Sequence, residues 1–202
     1  TNEGSDEDGN YPNADSNLTV DFGFFELLTL GNTIWHDANE NSILDSGETG
    51  FAGVVVYLLD ANGNPVLGPA GQPLSTVTNN NGQYQFTNLY PGEYRVLVGA
   101  ENFQPGGVLE GFWSSPGAVD PDNNSDIDDN GVDEVEPWNT GIMSQPLRLD
   151  YDQEPDNNDD TDDNDNTNLT VDMGFVGTPT AVTLTSFSAT NIGNQQVRIN
   201  WT

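Results

Sequence analysis

Residues 37–48 read DANENSILDSGE, which sets Asp37, Asn39, Asn41, Asp45 and Glu48 at alternating and terminal places of one short loop. These are positions 1, 3, 5, 9 and 12 of a calcium-binding loop of the EF-hand type, with the backbone carbonyl of Ile43 at position 7. Ca²⁺ is a hard cation that takes about six to eight oxygens, and a flexible loop with carboxylates at this spacing supplies them. Mg²⁺ fits less well because it dehydrates reluctantly. Zinc is excluded as a natural occupant: the chain has no cysteine and a single histidine, His36, beside Trp35 at a strand end. Position 6 carries Ser42 in place of the usual glycine, so the sharp turn is expected to be strained. Without an ion, the same residues make a polar surface loop rich in Asx turns.

A second stretch, DPDNNSDIDDNGVDE at 120–134, places Asp126, Asp128 and Asn130 in the opening half of such a loop, but Pro137 stands where position 12 needs a carboxylate. The missing ligand must come from elsewhere. The stretch EPDNNDDTDDNDNTN at 154–168 is the expected donor, through Glu154, Asp159 and Asp163. Seventeen of the thirty-three acidic residues lie between Asp120 and Asp165. A charge run of this kind is either a solvated, disordered segment or a set of cation ligands.

The loops must be positioned by something, and composition limits what. Against thirty-three acidic residues stand three arginines and no lysine, a formal net charge of −30 over 202 residues. Self-repulsion on that scale opposes compaction unless acidic segments stay solvated or cations neutralise them. Nucleic acid and anionic membranes are excluded as partners, since both need basic patches. No apolar run is long enough to span a bilayer, so membrane insertion of this segment is not expected. One histidine, no cysteine, no lysine and no phosphate-binding loop leave little for catalysis, so no enzyme is expected. Trp113 and Trp138 are the residues suited to stacking on a sugar, with core or edge packing as the alternative.

NLTVDFGF at 17–24 recurs as NLTVDMGF at 168–175, each after an acidic, Asn-rich stretch and each alternating apolar with polar residues as a half-buried strand does. This recurrence divides the chain into the tail of a preceding unit at 1–27, a complete unit at 28–177 and the opening strands of another module at 178–202. Within the central unit, NTIWHD, GVVVYLLD, PLSTVTN, GQYQFTNL and GEYRVLV read as strands, with GVLEGFWSS and SQPLRLDY as further ones. Seven to nine short strands between turns predict an all-β sandwich. The run GVVVYLLD suits a strand covered on both faces or one with a heavily buried edge. At the C-terminus, strands are expected at 181–189 and 196–202 around the turn NIGNQQ.

In order, GNTIWHDANENSILDSGETGFAGVVVYLLD, NGQYQFTNLYPGEYRVLV and NLTVDMGF resemble the B-type repeat of bacterial serine-aspartate-repeat surface proteins. The likeness runs over roughly 28–176 and is strongest at 31–98 and 167–176, with 101–166 read as an expanded acidic insertion. It implies a CnaB-like, prealbumin- or immunoglobulin-like β-sandwich with calcium-binding loops, extracellular or at the cell surface. The implied role is a calcium-stabilised stalk, fibre or matrix module that stacks on neighbouring repeats. Alternatives are an adhesive module for a host protein or glycan, or a filament subunit joined by strand donation. Some CnaB-like modules lock themselves with an isopeptide bond from lysine; with no lysine here, that bond is chemically excluded.

Overall fold

The computed structural model describes residues 26–122, 125–154, 166–177, 187–193 and 196–201. The first copy of the repeated strand at 17–24, and the expected ligands Asp159 and Asp163, lie outside the described residues.

The chain alternates short strands with turns, as read from the sequence. The first strand, β1 (Leu28–His36), is the organising element. Its N-terminal half pairs antiparallel with β5 (Gln83–Leu89) and parallel with β10 (Thr167–Asn168). Its C-terminal half pairs antiparallel with β2 (Thr49–Gly50) and parallel with β11 (Met173–Gly177). The short β7 (Phe112–Ser114) extends that end of the sheet along β11. The second sheet carries β3 (Val55–Asp60), with β4 (Ser75–Val77) on one side and β6 (Gly92–Val98) on the other. β6 then holds β8 (Ile142–Met143) and β9 (Leu147–Leu149) at its two ends.

Alternation decides which faces meet. In β5, Tyr84 and Phe86 are buried while Gln83, Gln85 and Thr87 are exposed. In β3 and β6, Val56, Leu58, Val96 and Val98 face them, and Leu28, Leu30, Ile34, Met173 and Phe175 complete the core between the sheets. Each such side chain contributes about 1.5–3 kcal/mol when fully buried. The outer face of β3 is only half buried at Val55 and Tyr57. It is partly covered by the single turn of 3₁₀ helix Ala100–Phe103, whose Asn102 side chain brackets Val55 N and O and whose Glu101 accepts from the Tyr57 hydroxyl. The continuous apolar run therefore reflects a one-sided core strand with a helical flap, not full cover on both faces.

Two further differences from the sequence reading have local causes. NLTVDMGF is not one strand: β10 and β11 are separated at residues 169–172. The Asn168 side chain accepts from both the backbone and the hydroxyl of Thr170, an Asx turn that draws the chain away from the ladder. At the C-terminus, β12 (Phe187–Gly193) pairs with β13 (Gln196–Trp201). Asn191–Gly193 thus belong to the strand, with a register shift between Asn191 and Gly193, and not to the expected turn. The stretch EPWNTGIM forms one helical turn, Pro137–Thr140, before β8.

Candidate metal centre

The loop 37–48 leaves the sheet at the end of β1, with Asp37 as its root. Asp37 is buried and bound from below by the Ser115 hydroxyl at 2.7 Å. Its carboxylate accepts from the backbone N–H of Asn41 and of Ser42, while Asn39 Oδ1 accepts from Asn41 N and Asn41 Oδ1 from Ile43 N. These nested turns curl the chain around its own oxygens. Glu48 closes the circle, accepting from Ala38 N through Oε1 at 2.8 Å and from Asp45 N through Oε2 at 3.1 Å. Glu40 and Ser42 hold φ of 61° and 62°, the left-handed region that glycine would occupy without steric cost. Ser42 is held there by its own hydroxyl, which donates to Pro116 O.

Asp45 is the inward carboxylate. It accepts from the side-chain amides of Asn39 and Asn41, both at 2.8 Å, and those bonds, Asn39 first, hold its pKa below the ordinary value. Among the described residues no three acidic or histidine side chains converge closely enough to grip an ion unaided. In this loop the two Asn amides stand between the carboxylates. An ion would compete with their N–H groups for Asp45, and a half-turn of each amide would present oxygen in place of nitrogen.

The second acidic loop lies against the first. Leu44 N donates to Ile127 O at 2.7 Å, and Ile43 bridges Asp128. Asp126 accepts from Asn32 Nδ2, and the same amide reaches Asp172. Asn130 is fully buried: its Oδ1 accepts from Asp172 N, and its own N–H donates to Asp172 O. Asp172 is also fully buried, accepts from Thr33 N, and its pKa is driven well up, first by burial and then by Asp126 and Asp128. The acid that the fold sets beside 126–130 is thus Asp172.

Glu154 belongs elsewhere. It accepts from Asp150 N and from Asn168 Nδ2, and burial, with Asp122 and Asp150 as acidic neighbours, raises its pKa. Asp122 is raised too, chiefly by burial.

Within the second loop sits Asp129, a residue the sequence reading passed over. Its Oδ1 accepts from the N–H of Gly131 and of Gly174, and its Oδ2 is buried without a partner. Burial, with Asp133 and Asp37 nearby, pushes its pKa up to about 8. An unpartnered buried carboxylate oxygen near acidic neighbours calls for a proton or a cation. Asp37, Asn39, Asn41, Ile43, Asp45 and Glu48, and separately Asp126, Asp128, Asn130 and Asp172, have the chemistry to hold Ca²⁺. The signal for Asp172 was visible: a carboxylate recurs inside both copies of the repeated strand, as Asp21 and Asp172. Trp113 is half buried and Trp138 is 38% exposed, on β7 and the helical turn respectively.

A family model, the SdrD B-like domain, matches residues 28–135. Serine-aspartate repeat-containing protein I of Staphylococcus saprophyticus is 43% identical over 90 residues, which is 44% of this chain and 4% of that protein. A fibrinogen-binding protein of Staphylococcus epidermidis is 38% identical over 102 residues, 48% of this chain and 9% of that one. Serine-aspartate repeat-containing protein D of Staphylococcus aureus (strain Newman) is 31% identical over 185 residues, 89% of this chain and 11% of that protein. The chain therefore spans a small part of the length of these relatives. No helix among the described residues is long and apolar enough to cross a membrane. The family match covers β1 to β7 together with both adjoining acidic loops, more than half of the sequence, and by it this chain belongs to the SdrD B-like domain family of bacterial cell-surface proteins.

Proposed function

We propose that this chain is a calcium-stiffened, non-enzymatic structural module of a cell-surface protein, a segment of stalk, fibre or matrix that stacks on neighbouring repeats. The observation that carries the reading is the juxtaposition of the two acidic loops across the Leu44–Ile127 bond, together with the buried, unpartnered Oδ2 of Asp129 in the second loop. Ions in the two loops would relieve the repulsion that this arrangement concentrates and couple the shape of the sheet end to metal. Asp37 and Asp172 would anchor the ions to β1 and to the entry of β11, and Asp45 and Glu48 would close the outer side. Asp159 and Asp163 are proposed as further ligands on the Glu154 side.

The test is thermal unfolding with EGTA and with added Ca²⁺. Saturation at about a hundred times the Kd adds about 2.7 kcal/mol per site, which for a chain of this length is roughly 5–10 °C. An unfolding temperature indifferent to chelation removes the reading.

A second reading, adhesion, rests on a different observation: Val132, Val135 and Trp138 are 41%, 80% and 38% exposed on the 101–140 insertion. Because one relative is named for fibrinogen binding, fibrinogen and a glycan array are the ligands to try, with Trp138→Ala as the control. Binding unchanged by that variant counts against this surface.

A further inference from the structure

One part of the molecule escapes its charge. Residues 61–92 contain no Asp, Glu, Lys or Arg, in a chain whose net charge is −30. They build β4, β5 and the loops that flank them. These two strands belong to different sheets: among the described pairings, β4 joins only β3 and β5 joins only β1. On their other edges neither has a strand partner among the described residues, and residues of both strands line the space between them.

That gap is a groove. One part of about 580 Å³ lies beside Leu74, Phe86 and Tyr94, and a second of about 340 Å³ beside Tyr84 and Asn79. Thr76 and Gln85 line both parts, and neither has a charged residue in its wall. Along its rim Leu67, Val77 and Tyr90 are 61%, 56% and 61% exposed. A free strand edge with apolar side chains is a template for pairing, and edges that are meant to stay single usually carry charge. Here charge is plentiful in the chain and missing from the edge.

We propose that this uncharged strip is a lateral contact surface for a second copy of this chain. Charge selects the occupant. A basic partner would be drawn to the acidic loops, whereas an acidic partner is repelled from them and meets least repulsion at 61–92. A second copy is such a partner, and it brings the same strip, so that a two-fold arrangement sets edge against edge. The residues lining the groove approach the lower end of the roughly 20–30 a side used by a standard interface, which sets the contact among weak, transient ones. The acidic surface outside the strip opposes the approach within about 8–10 Å, so raised salt strengthens the association. The contact is independent of calcium in the loops, and it joins chains side by side, unlike end-to-end stacking of repeats.

Sedimentation velocity on the whole chain over about 10–500 µM, the range of weak interfaces, tests it in low and high salt, with calcium and with EGTA. The expected result is a concentration-dependent dimer favoured by salt. Val77→Glu and Tyr90→Glu, both on exposed side chains, should weaken it at least about tenfold, while Val135→Glu outside the strip leaves it unchanged; circular dichroism confirms the fold of each. Persistence of the dimer in Val77→Glu and Tyr90→Glu overturns the assignment, as does a wild-type chain that stays monomeric throughout. A monomer whose strip residues shift in NMR spectra on adding a neutral β-glucan oligosaccharide overturns it in favour of a glycan.

Discussion

The loop at 37–48 and the cluster around Asp129 and Asp172 use the same residue types and solve opposite problems. In the loop, the acids beyond the buried root Asp37 are surrounded by N–H donors, and the exposed Asp45 ionises more readily than a free carboxylate. In the cluster, Asp129 and Asp172 are fully buried beside other acids and resist ionisation. The loop is satisfied by its own backbone and its Asn side chains. The cluster is satisfied only by something that the polypeptide does not itself supply, a proton or a cation. Sequence-local acids thus give a preformed turn, and acids gathered by the fold give its dependence on surroundings.

The largest effect that would sharpen this contrast is on pH. Asp129, raised to about 8 in the folded protein, holds its proton where the unfolded chain has lost it. Its contribution to stability is fully present below its ordinary pKa and is lost as pH rises through about 8. Asp172 and Glu154 act in the same direction. Calcium-free protein should therefore become less stable between pH 5 and pH 8, by at most about 1.4 kcal/mol per pH unit for each such acid. Denaturant titrations at several pH values check this, and saturating calcium should flatten or reverse the slope. Asp129→Asn keeps the oxygen that accepts from Gly131 and Gly174 and should lower the slope by up to about 1.4 kcal/mol per pH unit, leaving the share of Asp172 and Glu154; an unchanged slope breaks the assignment.

Next in size is the response to neutralising Asp172. Asp172→Asn removes a buried acid whose ionisation is opposed by burial and by Asp126 and Asp128, so the calcium-free protein at pH 8 should gain on the order of 1 kcal/mol. That is about 2–4 °C in a thermal scan. The same change should shrink the increment given by calcium. A loss of stability in EGTA would show that the cluster is held by its hydrogen bonds and not divided by its charge.

Asp45→Asn is the counterpart in the loop. It should leave the unfolding temperature in EGTA where it was and lower calcium affinity at least about tenfold in a calorimetric titration, as expected when a hard ion loses a carboxylate. Equal effects of Asp45→Asn and Asp172→Asn in EGTA would erase the distinction between the two regions. The smallest effect is expected at Arg148, whose exposed bond to Asp150 at 2.5 Å is the salt bridge found among the described residues. Arg148→Ala should not move the unfolding temperature measurably, because an exposed pair is screened by water.

What could be read from the sequence follows the same division. The strands β5 and β6 were legible because Tyr84, Phe86, Val96 and Val98 alternate with outward residues, β3 because GVVVYLLD is a continuous β-branched and apolar run, and an all-β architecture of two sheets followed. The hydrogen-bonded ring of Asp37, Asn39, Asn41, Asp45 and Glu48 was legible because its members are consecutive along the chain. Asp129 was not, and Asp172 showed only as a carboxylate repeated at Asp21, because only the fold brings residue 172 beside residues 32, 126 and 130. The bonds of Glu154 to Asp150 N and Asn168 Nδ2 were hidden for the same reason. The break at 169–172 was hidden because the Asn168 turn competes with a strand whose alternation is otherwise intact.

β1 and β11 are parallel neighbours, in register from Ile34↔Met173 to His36↔Phe175. The polypeptide enters the sandwich at the start of the first and leaves at the end of the second, so its two attachment points lie at opposite ends of one ladder. Traction on a tether running through this module loads those hydrogen bonds together, in shear, and cannot peel them one at a time. Lifetime under load is governed by the rate of unfolding, and this arrangement sets that rate by the strength of the whole ladder and not of its weakest rung.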